Sequence, residues 1–336
     1  MIARSQAGYA AAGVANLPLK KTPDIVEVLR ELLKDETAGD PVKGIKWTRK
    51  TVRRMARELD GKGFKVGRET VRRLILSLGY RLRSNRKRLT RKQDARRDKQ
   101  MRYIIRTRHA RLKLGKPVIS VDTKHRELVG DFKKAGRTWR LQPIDVMDSD
   151  YPSDGKGVAI PYGIYDVAKN RGFVVVGISC QTPEFAANSI RMWWVKEGRD
   201  KYPEAVELFI EADGGNPNGS RGYLFKYALQ GIADEFGLVI TVCHYPPGAS
   251  KWNPIEHKLF SQISSNWAGQ PLTTYELVLN YIRTTRTQMG LKCRACIDTR
   301  KYQTKLKISK QQKATIRLHP HRVHPELNYT IKPNKL

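Results

Sequence analysis

The chain has 336 residues, 40% of them hydrophobic, and carries 64 lysines and arginines against 32 acids, a formal charge of +32. That length allows two domains and a sizeable core, and the charge excess implies a polyanionic partner such as nucleic acid more than any uncharged substrate. No stretch reaches the roughly eighteen apolar residues of a membrane span, and the opening MIARSQAGYAAAGVANLPLKK lacks the continuous apolar core of a signal peptide. Cys180, Cys243, Cys293 and Cys296 are too few and too scattered for a disulfide framework, so a globular, cytoplasmic protein with reduced thiols is expected.

The charge is unevenly placed: residues 41–117 hold 28 basic and 5 acidic residues, residues 118–270 hold 17 and 18, and residues 271–336 hold 14 and 3. A neutral centre between cationic arms suits an active site flanked by DNA-gripping surfaces. Residues 1–45 are weakly patterned, with one short amphipathic helix from Pro23 to Leu33. From Thr48 to Leu59, Val52, Met55 and Leu59 share a helical face. Gly61-Lys62-Gly63 then breaks the helix, and Val71, Leu74, Ile75 and Leu78 define a second one closed by Gly79. Over residues 46–90 this predicts a helix-turn-helix whose second helix offers Arg68, Thr70, Arg72 and Arg73 to the major groove, although an ordinary solvated basic helix has the same pattern. The cationic run that follows, with Arg86, Lys87 and Arg88, favours DNA contact and leads into a basic helical linker at residues 91–116, read as lying along phosphates.

At Pro117 the texture changes. VISVDT has a buried-strand pattern, and after a polar excursion from Lys124 to Gly157 come AIPYGIYDV and GFVVVGIS, a hairpin. Thr182-Pro183 opens a helix as cap and first-turn proline. AVELFIEADGG is a strand ending in a glycine-rich turn, YLFKYALQGIADEFG an amphipathic helix and LVITVCHYP another buried strand. NPIEHKLFSQISSNW is a helix buried through Leu259, Phe260, Ile263 and Trp267. The order βββαβαβα over residues 117–270 matches the ribonuclease-H-like α/β fold, a mixed sheet flanked by helices, here preceded by an all-α helix-turn-helix region. Residues 271–336 are expected to form a basic helix and tail.

Three acids occupy consistent places in this order: Asp122 ends the first strand, Asp213 ends the fourth, and Glu256 opens the last helix. Carboxylates at the carboxyl ends of neighbouring strands can converge at one edge of a sheet. Phosphoryl transfer needs such convergence, because two Mg²⁺ ions roughly 3.5–4 Å apart must stabilise both the attacking and the leaving oxygen. Hard oxygen ligands suit Mg²⁺ or Mn²⁺. Taken singly, Asp122 and Asp213 also read as turn formers and Glu256 as a capping-box glutamate three residues after Asn253. Their joint placement beside basic flanks favours the metal site.

The segments VISVDTKHRELVGDFKKAGRTWR, IPYGIYDVAKNRGFVVVG, IEADGGNPNGSRGYLFKYALQGIADEFGLVITVCHYPPGASKWNPIEHKLFSQIS and HRVHPELNYTI resemble the Rhodopirellula-type DDE transposase family of bacterial insertion sequences. The likeness runs from about Lys46 to Lys332, and DTK-x-x-ELVG, ADGG and PPG-x-SKWN-x-IEH recur together and in order. The resemblance implies that Asp122 bridges two metal ions while Asp213 and Glu256 each complete the coordination of one. It further implies that water, and then the freed 3′-hydroxyl, attacks a phosphodiester in line. It implies double-stranded DNA as partner, a homo-oligomer when assembled on element ends, and a nucleoid-associated place in the bacterial cytoplasm. Lys251, Arg221 and His257 lie beside the acids as candidate phosphate contacts, with ordinary surface roles equally open. Family members usually carry a further helix-turn-helix module ahead of the basic region, whereas about 45 residues precede Trp47 here, so recognition of terminal repeats is expected to be weakened.

Other signals have simpler accounts. Cys293 and Cys296 with His319, His321 and His324 suggest zinc, but the pairs lie far apart and packing suffices. His244 reads as a satisfied core histidine, and Trp193-Trp194, Tyr162 and Tyr165 as core. Asp166 is a further candidate for the acidic edge or a stabiliser of the turn DVAKN, and the excursion is read as a loop touching DNA through Lys133, Lys134, Arg137 and Arg140. The alternatives to a transposase are a non-catalytic DNA-binding remnant or regulator and, more remotely, a ribonuclease H, for which no 2′-hydroxyl readout is visible.

Overall fold

The computed structural model describes residues 23–35, 38–40, 45–47, 50–82, 96–249 and 252–334. Arg86, Lys87, Arg88 and Lys251 lie outside the described residues. Contacts divide the chain into two units, Met1–Leu89 and Thr90–Leu336.

In the first unit, helix α1 (Pro23–Asp35) repeats Ile25, Leu29 and Leu33 at four-residue spacing, one stripe of a helix. A short antiparallel pair, β1 (Ala38–Asp40) and β2 (Ile45–Trp47), follows. Helix α2 (Val52–Gly61) begins where the Thr51 hydroxyl accepts from the Arg54 amide at 3.2 Å. It ends at Gly61, and the turn beyond it passes through Gly63, whose φ of +90° suits only glycine at low cost. Helix α3 (Arg68–Ser77) then brings Val71 and Leu74 against Met55, Leu59 and the α1 stripe in one small core. Lys50 binds the carbonyl of Leu32 and the carboxylate of Glu58, tying α1 to α2. The weakly patterned stretch before Lys46 therefore supplies three of the seven buried residues of this core.

The second unit is built on a nine-stranded mixed sheet. Helix α4 (Arg96–Lys113) leads into β3 (Val118–Thr123), β4 (Glu127–Val129), β5 (Gly157–Asp166) and β6 (Arg171–Gly177). Helix α5 (Pro183–Trp193) runs through a π-helical turn into α6 (Arg199–Lys201). After β7 (Glu207–Ala212), α7 (Tyr223–Phe236) and β8 (Val239–His244), a helix passes through a π-helical turn, Glu256–Phe260, into α8 (Ser261–Asn266). Helix α9 (Tyr275–Thr284), β9 (Lys292–Asp298), α10 (Lys310–Ala314), β10 (Leu318–Pro320) and β11 (Asn328–Ile331) complete the chain. The strand order is β10-β11-β8-β7-β3-β5-β6-β9, with β4 paired to β5; β3, β7 and β8 are parallel, and β5 is antiparallel to β3 and β6.

Side-chain alternation sorts the strands onto two faces. Ile119 and Val121 of β3, with Leu208, Ile210 and Ala212 of β7, meet α5 and α7. Val118 and Phe209 turn the other way, toward Ile104 of α4. The helix through Glu256, together with α8 and α9, covers that second face over Val174 and Val176. Residues 271–336, read in the sequence as helix and tail, carry three strands of the sheet. β9 is parallel to β6 at one edge, and β11 extends β8 toward the other. Both have short or interrupted apolar patterns (KCRACID, NYTI), which is why periodicity passes over them.

The helix read as a linker, α4, is packed into this unit. Arg108 forms a two-pronged contact with Glu211 at 2.5 Å for each prong, and Tyr245 joins the same carboxylate at 2.8 Å. Buried Gln100 and Asn328 bond each other in both directions at 2.7 Å. The polar excursion after β3 is also anchored. Lys124 and Lys134 both bind Glu127 at 2.8 Å, Lys124 lies over the Trp267 ring, and Phe132 is buried.

Candidate active site

The parallel register of β3 on β7 pairs Val121 with Ala212, so Asp122 and Asp213 are the next residues on adjacent strands about 4.8 Å apart. Asp122 follows the outward alternation of Val118 and Ser120, and Asp213 that of Phe209 and Glu211, so both fall on the face covered by the helix through Glu256. All three carboxylates are half-buried.

The approach of that helix has two causes in the sequence. Ser120, two residues before Asp122, donates to the Asn253 side-chain oxygen and accepts from the Ile255 amide at 3.1 Å. Both side chains are fully buried, so the start of the helix is pinned to β3. Gly163 pairs directly with Asp122, and a Cβ there would come within 2.5 Å of Phe260 and 2.8 Å of Ile255. Glycine is what lets the helix carrying Glu256 descend onto the strands. His244 holds the other side, with one ring nitrogen 3.1 Å from the Asp213 carbonyl and the other 3.2 Å from the Tyr329 hydroxyl. Burial lowers its pKa to about 4, so it is neutral and positional.

Burial, and then the negative charges of Asp213 and Glu256, raise the Asp122 carboxyl to about 7, against a bond from the Thr123 amide that favours its charged form. Among the described residues no lysine, arginine or histidine forms an ion pair with any of the three acids. Nor do three acidic, histidine or cysteine side chains there already enclose a metal position. The three side chains nonetheless offer only oxygen donors, the kind that Mg²⁺ or Mn²⁺ requires, so the residue types fit such an ion.

A cleft of about 730 Å³ includes Asp213 and is bordered by Arg96, Arg97, Arg221, the Gly214–Gly215 turn and His324. Arg221 thus stands in the same cleft as one of the acids. On α3, Arg68, Arg72 and Arg73 are exposed and Thr70 half-buried, with Arg72 bound to Glu69 at 2.9 Å. Asp166 is buried at the other end of β5, accepting from the Lys169 amide and the Tyr202 hydroxyl, so it serves the turn. Cys293 and Cys296 point to opposite faces of β9, as an odd separation on a strand demands, and cannot share a zinc ion. Trp193, Trp194, Tyr162 and Tyr165 are core. Sequence reasoning passed over Ser120, Gly163 and the role of Asn253. For Ser120 and Asn253 the only signal is adjacency to the acids, because their contact spans 133 residues, and Gly163 meets Ile255 and Phe260 more than 90 residues away.

Residues 28–333 match the Rhodopirellula transposase DDE domain. No curated protein gives a significant match. Among solved structures, the Mos1 transposase paired-end complex with left transposon end is 14% identical, with a TM-score of 0.42 over 78% of this chain and 71% of that one. A pre-cleavage Mos1 transpososome is 13% identical, with a TM-score of 0.43 over 78% and 71%. The family match spans most of the first unit and nearly all of the second, and the chain belongs to the Rhodopirellula transposase DDE-domain family.

Proposed function

We propose that this chain is an insertion-sequence transposase that cuts DNA at element ends and transfers the freed strand, using Asp122, Asp213 and Glu256 as ligands for two Mg²⁺ or Mn²⁺ ions. The observation that carries this reading is the β3–β7 register, which sets two acids side by side at the carboxyl ends of parallel strands in a chain of this family. The central strand order β6-β5-β3-β7-β8 supports a ribonuclease-H-like catalytic fold. Bound there, two divalent ions supply stabilisation of the attacking and leaving oxygens in an in-line displacement.

The chain's own residues prepare that step. Asp122 must give up its proton to act, so burial makes it dependent on a cation. Ser120, Asn253 and Gly163 fix where Glu256 stands, and His244 fixes the backbone of Asp213. Arg221 is placed to hold a phosphate in the cleft beside Asp213. Helices α2 and α3 form a helix-turn-helix whose exposed Arg68, Arg72 and Arg73, with half-buried Thr70, meet duplex DNA, aided by Arg86, Lys87, Arg88 and Lys251. The active form is a homo-oligomer on DNA, because two ends must be joined.

The test is cleavage and strand transfer on labelled DNA carrying the host element's ends, with Mg²⁺ or Mn²⁺, comparing wild type with Asp122→Ala, Asp213→Ala and Glu256→Ala. Activity lost in each variant with DNA binding retained is expected. Binding without cleavage by the wild type would instead identify a non-catalytic remnant.

A further inference from the structure

A cleft of about 600 Å³ opens at the edge of the sheet where β6 and β9 begin. Arg171, Lys196, Lys201, Arg286, Lys292 and Arg294 line it, with Glu197 and Asp200 as its acids. Glu197 is already engaged by Lys201 and Arg294, and Asp200 lies 4.0 Å from Arg199. Arg171, Lys196, Arg286 and Lys292 have no side-chain partner among the described residues.

Three of these cations stand in a row. Lys292 pairs with Arg171 across the parallel β6–β9 ladder and with Arg286 across an antiparallel bridge. Like charges opposite one another in a sheet repel, and the two acids of the cleft, Glu197 and Asp200, are outnumbered by its cations. Charges on an edge strand also discourage unwanted pairing, but that role concerns β9 alone and leaves Arg171, Lys196 and Arg286 without an account.

The row is separated from the acids and lies on the other face of the sheet, the one that carries Ile119, Phe173 and Val175. β9 is the third strand from β3, about 14 Å across the sheet, and Arg171 aligns through Asp166 with Ile119, about 10 Å back along β3 from Asp122. We infer that this cleft grips the phosphate backbone of duplex DNA at a distance from the reacting phosphodiester. The inference rests on the proposed action on duplex DNA and adds a second contact surface to it.

The experiment uses the full chain carrying Asp122→Asn, expected on the proposed function to bind without cutting. Charge reversal by Arg286→Glu with Lys292→Glu is expected to weaken duplex binding at least tenfold at 0.1 M salt. It is also expected to reduce the slope of log affinity against log salt by about 1–2, as expected for one or two lost phosphate contacts. The charge-keeping pair Arg286→Lys with Lys292→Arg binds like the parent. A photocrosslinker attached at Lys292→Cys is expected to label duplex DNA, which also reports if the reversed variant folds poorly. Unchanged affinity and slope in a folded reversal, or capture of inorganic pyrophosphate with no DNA crosslink, would overturn the inference. Cleavage by wild type is scored separately, so a failed transposase reading and a failed cleft are distinguishable.

Discussion

Glu211 and Asp213 are two residues apart along one strand line and face the same side of the sheet, yet their surroundings are opposite. Glu211 is fully buried and answered by the forked contact of Arg108 and the Tyr245 hydroxyl, which hold α4 to the sheet. Asp213, with Asp122 and Glu256, has no ion-pair partner among the described residues, and burial, reinforced by the charges of Asp213 and Glu256, makes Asp122 hard to ionise. At Glu211 the chain supplies the cation itself, whereas buried Asp166, which serves the turn, is held by the Lys169 amide and the Tyr202 hydroxyl. At Asp122, Asp213 and Glu256 no described residue forms an ion pair, an arrangement suited to a cationic ligand.

The largest effect should come from breaking the balanced site. Arg108→Met leaves Glu211 buried and uncompensated and is expected to cost about 3–5 kcal/mol of unfolding free energy in denaturant titrations. Adding Glu211→Leu should recover most of it. A cost near zero would mean that the pair does not hold α4 in place.

Smaller, and confined to activity, is the effect of disturbing the pin. Asn253→Ala or Gly163→Ala moves the helix bearing Glu256 and is expected to lower the cleavage rate about 100-fold, the cost of a displacement near 1 Å. DNA affinity should hold, and full activity in a folded Asn253→Ala would remove the pin from the account.

The smallest effect separates the two sites by pH. Asp122 is raised from its ordinary 3.8 to about 7, so its protonated form stabilises the fold below about pH 4, and that stability is lost as pH rises through about 7. Without metal, Asp122→Asn should therefore melt a few degrees above wild type at pH 8 and equal it near pH 4. Equal melting temperatures at both pH values would show that Asp122 is not strained by its neighbours.

Much of the second unit is legible in the sequence, because VISVDT, the hairpin and the helices over 183–266 have clean periodicity. The acids are legible too, since strand ends and a helix start are where the pattern breaks. The partners of those acids are not. Ser120 and Asn253 look like ordinary polar residues until the fold joins positions 133 apart in the chain. The strands at 292–298 and 328–331 are hidden because one is an edge strand studded with charge and the other is four residues long. The basic composition of α4 suggests a solvated helix, since Gln100, Ile104, Thr107 and Arg108 reveal a buried face only against the sheet.

The most direct test of the uncompensated site is thermal unfolding of metal-free protein at pH 8, titrated with Mg²⁺ or Mn²⁺. Wild type should gain stability with increasing ion, while Asp122→Asn, Asp213→Asn and Glu256→Gln should gain little or none. Identical stabilisation of wild type and all three variants would contradict the assignment of these carboxylates as the place where the cation binds.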